Sequence, residues 1–256
     1  MEWVNAVVQG ILVGGLYAMF AAGLSLIFGV MRLVNIAHGD FIVAAAYLAM
    51  VIIQGTGLHP LLSLLIVVPV AAVFGYGLQR GIFNRTLGKD ILPPLLVSFG
   101  LSVILQNGML ELFTADSRKL DAGPQYLFYR TALGRAFRAT SDDTEIAEIM
   151  GLDNRKVYAW AMALCMGVVA VAGVFLAIRS NFDPFMGPGR LIFGFESVII
   201  GGLGNLWGTL VGGVILGVAQ GLGAEINPGW QLLAGHIAFL VVLAVKPHGL
   251  FPRNDG

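Results

Sequence analysis

Long runs of apolar residues, separated by short polar segments, form the dominant pattern along this chain. A bilayer core of roughly 30 Å is crossed by about 20 consecutive apolar residues in a helix. Five runs are close to this length or longer, and they predict transmembrane helices at residues 4–30, 61–78, 91–113, 157–178 and 230–245. The pattern therefore predicts an all-α fold, a polytopic transmembrane helical bundle.

Two further apolar segments do not fit a simple crossing. Residues 41–53 are too short, so a helix there must either include part of residues 35–40 or remain a half-helix. Residues 191–223 are long but are interrupted by three glycines, Gly201, Gly202 and Gly204. Because glycine tolerates sharp turns, we expect a helical hairpin or re-entrant element that turns at these glycines. Non-helical backbone at this depth requires a protein-lined or water-filled surrounding.

The positions of the basic residues predict which loops are cytoplasmic. Lysine and arginine are enriched in cytoplasmic loops, and here they are concentrated in residues 80–89, 130–156 and 246–256. The apolar run 91–113 leads away from the first of these loops. No later run can return the chain to the cytoplasm before the second loop, so the sequence predicts that one crossing is missing near residues 121–129.

The composition supports a membrane protein and excludes several other classes. The chain of 256 residues is 57% hydrophobic and 12% charged, against about 25% charged in an average soluble domain, and its net charge is zero. This balance gives no indication of nucleic-acid binding. The single cysteine, Cys165, cannot form a disulfide within the chain. The common catalytic and nucleotide-binding motifs are absent, so we expect no enzyme activity, no catalytic or metal-binding residues and no cofactor.

A polar patch precedes the short apolar segment at residues 41–53. It contains Asn35, His38 and Asp40. Polar groups beside a transmembrane helix are costly unless they are paired, hydrated or interfacial. One interpretation is a helix cap, in which Asn35 and Asp40 bind free backbone amides. The alternative is that the patch lines or gates a substrate pathway together with the three glycines named above; a proton relay or metal site is a third possibility.

Residues 134–151 predict a short amphipathic helix on the cytoplasmic side. Ser141 is a favourable N-cap and is followed by acidic residues in the first turn. Ile146, Ile149 and Met150 then share one face. The pattern indicates either a docking element for a partner protein or a solvated loop at the membrane surface.

Four segments, in order along nearly the whole chain, carry a resemblance to one transporter family. They are residues 33–41 (Leu-Val-Asn-Ile-Ala-His-Gly-Asp-Phe), 130–139, 199–213 and 246–251. The chain resembles the permeases of the high-affinity branched-chain amino-acid ABC importers, of the LivH/LivM type and closer to LivH. Glu145, Ala147 and Gly151 are similar to the importer loop motif Glu-Ala-Ala-x-x-x-Gly, with isoleucine in place of the second alanine.

The resemblance implies a function and a set of partners. The chain would be an inner-membrane permease subunit that pairs with a second permease, a LivM-like paralogue. Two cytoplasmic ATPase subunits would bind ATP and dock on a coupling loop at about residues 130–156, and a periplasmic protein would deliver the substrate. The coupling residues would be Gly134, Arg135, Arg138, Glu145, Ala147 and Gly151. Relatives transport urea and short amides as well as amino acids, so a urea or short-amide permease and an ATP-independent channel remain alternatives.

The chain departs from the family pattern near residues 121–129, where the distribution of basic residues also indicates a missing crossing. Relatives carry a further loop and span before the segment that begins at Arg130, whereas here residues 121–129 join it directly. Three explanations are open. The run 91–113 forms a hairpin bent near Gly100, or the basic loops lie on opposite faces, or the chain lacks residues that its relatives have. We favour the third explanation. It predicts that residues 121–129 are too few to span the distance between the two segments that they connect. Residues 1–256 otherwise form one transmembrane permease domain.

Overall fold

The computed structural model describes residues 2–86, 92–120 and 154–252, and these ranges contain helices and no β-strand. The helices are α1 (Glu2–Met31), α2 (His38–Thr56), α3 (Pro60–Leu78), α4 (Asn84–Thr86), α5 (Leu92–Phe113), α6 (Asn154–Arg179), α7 (Gly187–Gly201), α8 (Leu206–Ile226) and α9 (Gln231–Val245). A π-helical turn at Gln79–Phe83 joins α3 to α4, and a 3₁₀ turn at Pro228–Trp230 precedes α9. The all-α prediction is confirmed.

Seven helical stretches in the described ranges are long and apolar enough to cross a membrane. They are Glu2–Met31, His38–Thr56, Pro60–Thr86, Leu92–Phe113, Asn154–Arg179, Leu206–Ile226 and Pro228–Val245. The five predicted spans are confirmed to within a few residues. The short apolar segment at 41–53 is part of a longer helix of 19 residues, because α2 begins at His38, inside the polar patch. The chain is a multi-pass membrane protein.

Helices α1 and α8 pack against each other through small residues. Gly10 and Gly14 on α1 face Gly213 and its neighbours on α8. A Cβ atom at Gly14 would lie 2.6 Å from the Gly213 carbonyl oxygen, and one at Gly10 would lie 2.7 Å from the Cα of Val218. Apolar side chains gain little by leaving lipid for a helix interface, so close backbone approach supplies the packing energy instead. The glycines therefore set the distance between these two helices.

Helix α6 lies at the centre of the bundle, against α1, α2 and α3. Most of its side chains from Ala159 to Ile178 are buried, as expected of a helix without a polar face, whereas Trp160 and Leu164 near its start are exposed. Glycines again permit the closest contacts. A Cβ at Gly173 would lie 2.8 Å from the Cβ of Ala45, and one at Gly75 would lie 2.8 Å from the Cβ of Met166.

The long apolar stretch in the C-terminal half forms the predicted hairpin. Helix α7 ends at Gly201 and α8 begins at Leu206. Gly202 and Gly204 adopt φ angles of 108° and 78°, which residues with a side chain rarely adopt. Asn205 then caps α8, since its Oδ1 accepts a hydrogen bond of 3.0 Å from the Gly208 amide.

Hydrogen bonds at the two ends of α6 show which loops share a side of the bundle. At one end the Asn84 side-chain amide donates to the Arg155 carbonyl oxygen at 3.2 Å. At the other end Arg118 and Phe182 exchange two backbone hydrogen bonds of 2.8 Å. The segments that follow α5 and α6 therefore lie together, at the end of the bundle opposite the short helix α4, which contains Arg85. The positive-inside rule assigns the end with Arg85 and Arg155 to the cytoplasm.

Helix α5 consequently makes one full crossing. It is continuous, so the explanation that requires a hairpin bent near Gly100 is wrong. Leu120 and Asn154 lie at opposite ends of the bundle, because the first pairs with the end of α6 and the second begins that helix. The predicted short connection at residues 121–129 and the predicted amphipathic helix at 134–151 lie outside the described residues.

Candidate functional site

The polar patch predicted from the sequence lies inside the bundle, at the start of α2. Asn35, His38 and Asp40 are all buried. The His38 Nδ1 atom lies 4.0 Å from the sulfur of Cys165, which is near the middle of α6. The chain leaves α1 at Met31, turns, and begins α2 at this depth. The patch therefore marks an interruption between two helices within the bundle.

Each polar side chain in the patch has a different partner. The His38 Nε2 atom lies 2.9 Å from the Phe20 carbonyl oxygen on α1. The Asn35 Oδ1 atom accepts a 3.0 Å hydrogen bond from the Ala37 amide and so stabilises the turn before α2. The Asn35 Nδ2 atom is buried and has no hydrogen-bond partner in the described part of the chain.

Asp40 connects α2 to α5. Its carboxylate accepts hydrogen bonds from the Ser102 hydroxyl at 2.5 Å and from the Gln106 side-chain amide at 3.0 Å. One turn earlier on α5, the Ser98 hydroxyl accepts a 3.1 Å hydrogen bond from the Ile36 amide. Sequence reasoning missed these α5 residues. Their spacing of four residues places them on one face of an otherwise apolar helix, and this was the available signal.

The starts of α2 and α7 meet beside Asp40. Gly39 and Gly187 are in such close contact that a Cβ at Gly39 would lie 2.7 Å from the Gly187 carbonyl carbon. Helix α7 has only 15 residues, about 22 Å at 1.5 Å per residue. Two interrupted elements therefore converge at one place within the bundle. Interrupted helices of this kind form the substrate sites of many transporters.

The glycine turn lies at the cytoplasmic end of α7, away from Asp40. The C-terminal segment packs on this turn, with the Leu250 amide donating to the Ile200 carbonyl oxygen at 2.8 Å. A small cavity separates the turn from the segment before α2, and it is lined by Leu24, Phe28, Leu33, Val34, Phe195, Val198 and Leu203. None of the six residues predicted for the pathway is among these lining residues, so the structure does not bring them together around this cavity.

A second polar cluster was not predicted. The Nδ1 atom of His236 on α9 lies 2.5 Å from a carboxylate oxygen of Glu196 on α7. The Tyr17 hydroxyl donates a 2.6 Å hydrogen bond to the side chain of Gln220, and the ring of Phe193 stacks on Tyr17 with centroids 4.8 Å apart. The signal in the sequence was Glu196, which is the one charged residue in the apolar stretch 191–223.

The predicted coupling residues cannot be placed. Gly134, Arg135, Arg138, Glu145, Ala147 and Gly151 lie outside the described residues. In the ranges that are described, no three His, Cys, Asp or Glu side chains come together as metal ligands.

Comparison with known proteins identifies similar chains over nearly the full length. A family model described as the permease component of a branched-chain amino acid transport system matches residues 6–108 and 122–245. The high-affinity branched-chain amino acid permease BraD of Pseudomonas aeruginosa is 25% identical over 298 residues, covering 99% of this chain and 97% of BraD. LivH of Salmonella typhimurium, named for the same transport system, is 25% identical over 291 residues, covering 96% and 94%.

A more distant similarity concerns a different transported compound. The autoinducer 2 import permease LsrC of Salmonella paratyphi B is 32% identical over 152 residues, which cover 57% of this chain and 43% of LsrC. No solved structure matches the chain.

The alignment lengths show that this chain is shorter than its relatives. The alignment with BraD spans 298 residues and this chain has 256, so at least 42 aligned positions of BraD have no counterpart here. The family match stops at residue 108 and resumes at residue 122. The position of the missing residues at 121–129 stays a prediction.

Proposed function

The chain belongs to the family of branched-chain amino acid transport permeases, and we propose that it is the membrane-spanning permease subunit of an ABC importer in a bacterial inner membrane. The observation that carries this proposal is the near full-length similarity to BraD and LivH. The seven apolar helices and the two interrupted helices that meet at Asp40 support it, because transporters build substrate pathways from such elements.

We propose that the transported compounds are branched-chain or other small aliphatic amino acids. The names of the two full-length relatives support this class. The partial similarity to LsrC concerns a different solute, so similarity in this family does not fix the transported compound. A short polar compound such as urea or an amide, expected from the family resemblance, is the alternative.

The proposed complex contains further subunits that supply energy and substrate. Two cytoplasmic ATPases would bind ATP, since this sequence has no phosphate-binding loop of its own. They would dock on the loop at residues 130–156. A second permease, of the LivM type, and a periplasmic binding protein would complete the importer. The described start of α6 at the cytoplasmic end is compatible with a docking loop there.

Substitution of Gly151 tests the coupling role. A glycine after the amphipathic helix permits a turn that a β-branched residue would strain. We expect Gly151→Val to abolish ATP-driven uptake while membrane insertion and co-purification of the second permease remain normal. The matched control is Gly81→Val, since a Cβ at this cytoplasmic position meets no atom within 4 Å. Normal uptake by Gly151→Val, or equal loss in both variants, would count against the coupling loop.

Cysteine labelling tests the proposed pathway. Ala37 is buried beside the polar patch, whereas Leu203 on the glycine turn is 44% exposed. If the two segments flank the route, cysteines at these positions should react with a small water-soluble thiol reagent at rates that change with ATP. Cysteines that stay inert in every state would assign both segments to packing.

A further inference from the structure

The second polar cluster, formed by Tyr17, Gln220, Glu196 and His236, contains buried polar atoms that make no hydrogen bond within the cluster. The Glu196 side chain is 7% exposed, and only one of its carboxylate oxygens is bonded, to His236. The other oxygen, Oε2, is buried and has no partner in ranges 2–86, 92–120 and 154–252. The side-chain nitrogen of Gln220 is likewise buried and unpartnered within those ranges. Unsatisfied buried polar groups are rare in native proteins and often have a functional cause.

The charge of Glu196 is not neutralised along its own helix. Arg190 is six residues earlier on α7, about 9 Å along the axis at 1.5 Å per residue, and its guanidinium donates to the sulfur of Met186 instead. An ionised carboxylate at membrane depth is retained where it is paired or faces a water-filled path. The unpartnered oxygen of Glu196 therefore suits a cation or a strong hydrogen-bond donor.

The cluster reaches the surface of this chain at His236, on a membrane-spanning helix whose neighbouring residues Leu233 and Ile237 are also exposed. The His236 side chain is 42% exposed, so movement of this ring would uncover the carboxylate behind it. Ile192 and Gly189, one to two turns earlier on α7, are also exposed. The ring of Phe193 stacks on Tyr17 and also lies 6.4 Å, between centroids, from the ring of His236, the partner of the carboxylate. A buried carboxylate beside an aromatic pair matches a small molecule with one charged group and an aliphatic part.

We propose that Glu196, oriented by His236, binds the ammonium group of the transported amino acid inside the membrane, with the aromatic pair of Tyr17 and Phe193 against its aliphatic side chain. This inference rests on the proposed function and adds an intramembrane substrate contact to it. An ammonium group carries three N–H donors and a full charge, and a charge-assisted hydrogen bond is about twice as strong as a neutral one. Amino acids would therefore be preferred over neutral amides at this position.

The test uses the complete transporter in liposomes, with its ATPases, second permease and binding protein. Glu196→Gln keeps the shape of the side chain and its hydrogen bond to His236 but removes the charge. We expect initial uptake of leucine to fall about 10- to 100-fold, while ATP hydrolysis stimulated by the loaded binding protein stays within about twofold of wild type. Glu225→Gln, an exposed carboxylate at the end of α8, is the matched control and should change neither rate.

A second variant separates substrate binding from folding. His236→Gln retains a hydrogen-bond donor, so it should lower leucine uptake less than Glu196→Gln does. Unchanged leucine uptake by Glu196→Gln would overturn the inference, and so would a parallel loss of uptake, ATP hydrolysis and complex assembly, which indicates a structural role. A wild-type complex that takes up no amino acid would instead refute the proposed function, so the two failures are distinguishable.

Discussion

Replacement of Gly14 by alanine tests whether the glycine contact between α1 and α8 sets the packing of the bundle. A Cβ at this position would lie 2.6 Å from both the Gly213 carbonyl oxygen and the Val214 Cα. Ordinary contacts between carbon atoms lie at about 3.5–4.0 Å, so the two helices must move apart by roughly 1 Å. Neither neighbouring atom can rotate away, because both belong to the backbone.

The expected loss follows from overpacking. Inserted methyl groups in a well-packed interior cost about 1–3 kcal/mol, which corresponds to a decrease of roughly 2–12 °C in the thermal midpoint for a chain of this size. The measurement is thermal unfolding of the purified protein in detergent, followed by tryptophan fluorescence. Gly15→Ala is the matched control, since a Cβ there meets no atom within 4 Å. Equal midpoints for the two variants would refute the reasoning.

Two further predictions concern α5. Ser102→Ala combined with Gln106→Leu leaves the buried carboxylate of Asp40 without its two donors, so we expect a loss of about 3 kcal/mol or more in the same thermal assay, and partial recovery when Asp40→Asn removes the charge. If the double variant is as stable as wild type, Asp40 does not anchor α5. Because α5 is one continuous crossing, we also expect Asp116→Cys to react with a membrane-impermeant maleimide in intact cells, and Arg85→Cys to react only after permeabilisation. Labelling of both from the same side would contradict the assigned topology.

The apolar pattern was sufficient to predict most of the fold because the bilayer imposes it. Each predicted span corresponds to a helix, and the hairpin between α7 and α8 occurs at the predicted glycines because Gly202 and Gly204 adopt positive φ angles. The start of α2 was left open between two possibilities. The structure shows a helix from His38, since the polar side chains of the patch find partners inside the bundle.

The polar contacts between helices were not predictable in the same way. Asp40 was selected from its position beside an apolar run, but its partners Ser102 and Gln106 lie more than 60 residues later. The pair of Glu196 on α7 and His236 on α9 joins residues that are 40 positions apart in the sequence. Hydrophobic periodicity indicates which face of a helix is apolar, but it does not specify which helix packs against that face. The local indications of such contacts are a single charged residue in an apolar run, as at Glu196, or polar residues spaced four apart, as at Ser98, Ser102 and Gln106.

ATP-driven uptake of leucine is the most direct test of the central claim. The chain would be purified with its partner subunits, reconstituted in liposomes and supplied with the binding protein and radiolabelled leucine. The account predicts accumulation against a gradient that requires ATP on the side of Arg85 and Arg155, and no accumulation without it. Equilibration of leucine in the absence of ATP would indicate a channel, and ATP-driven accumulation of urea but not of leucine would show that the substrate class is wrong.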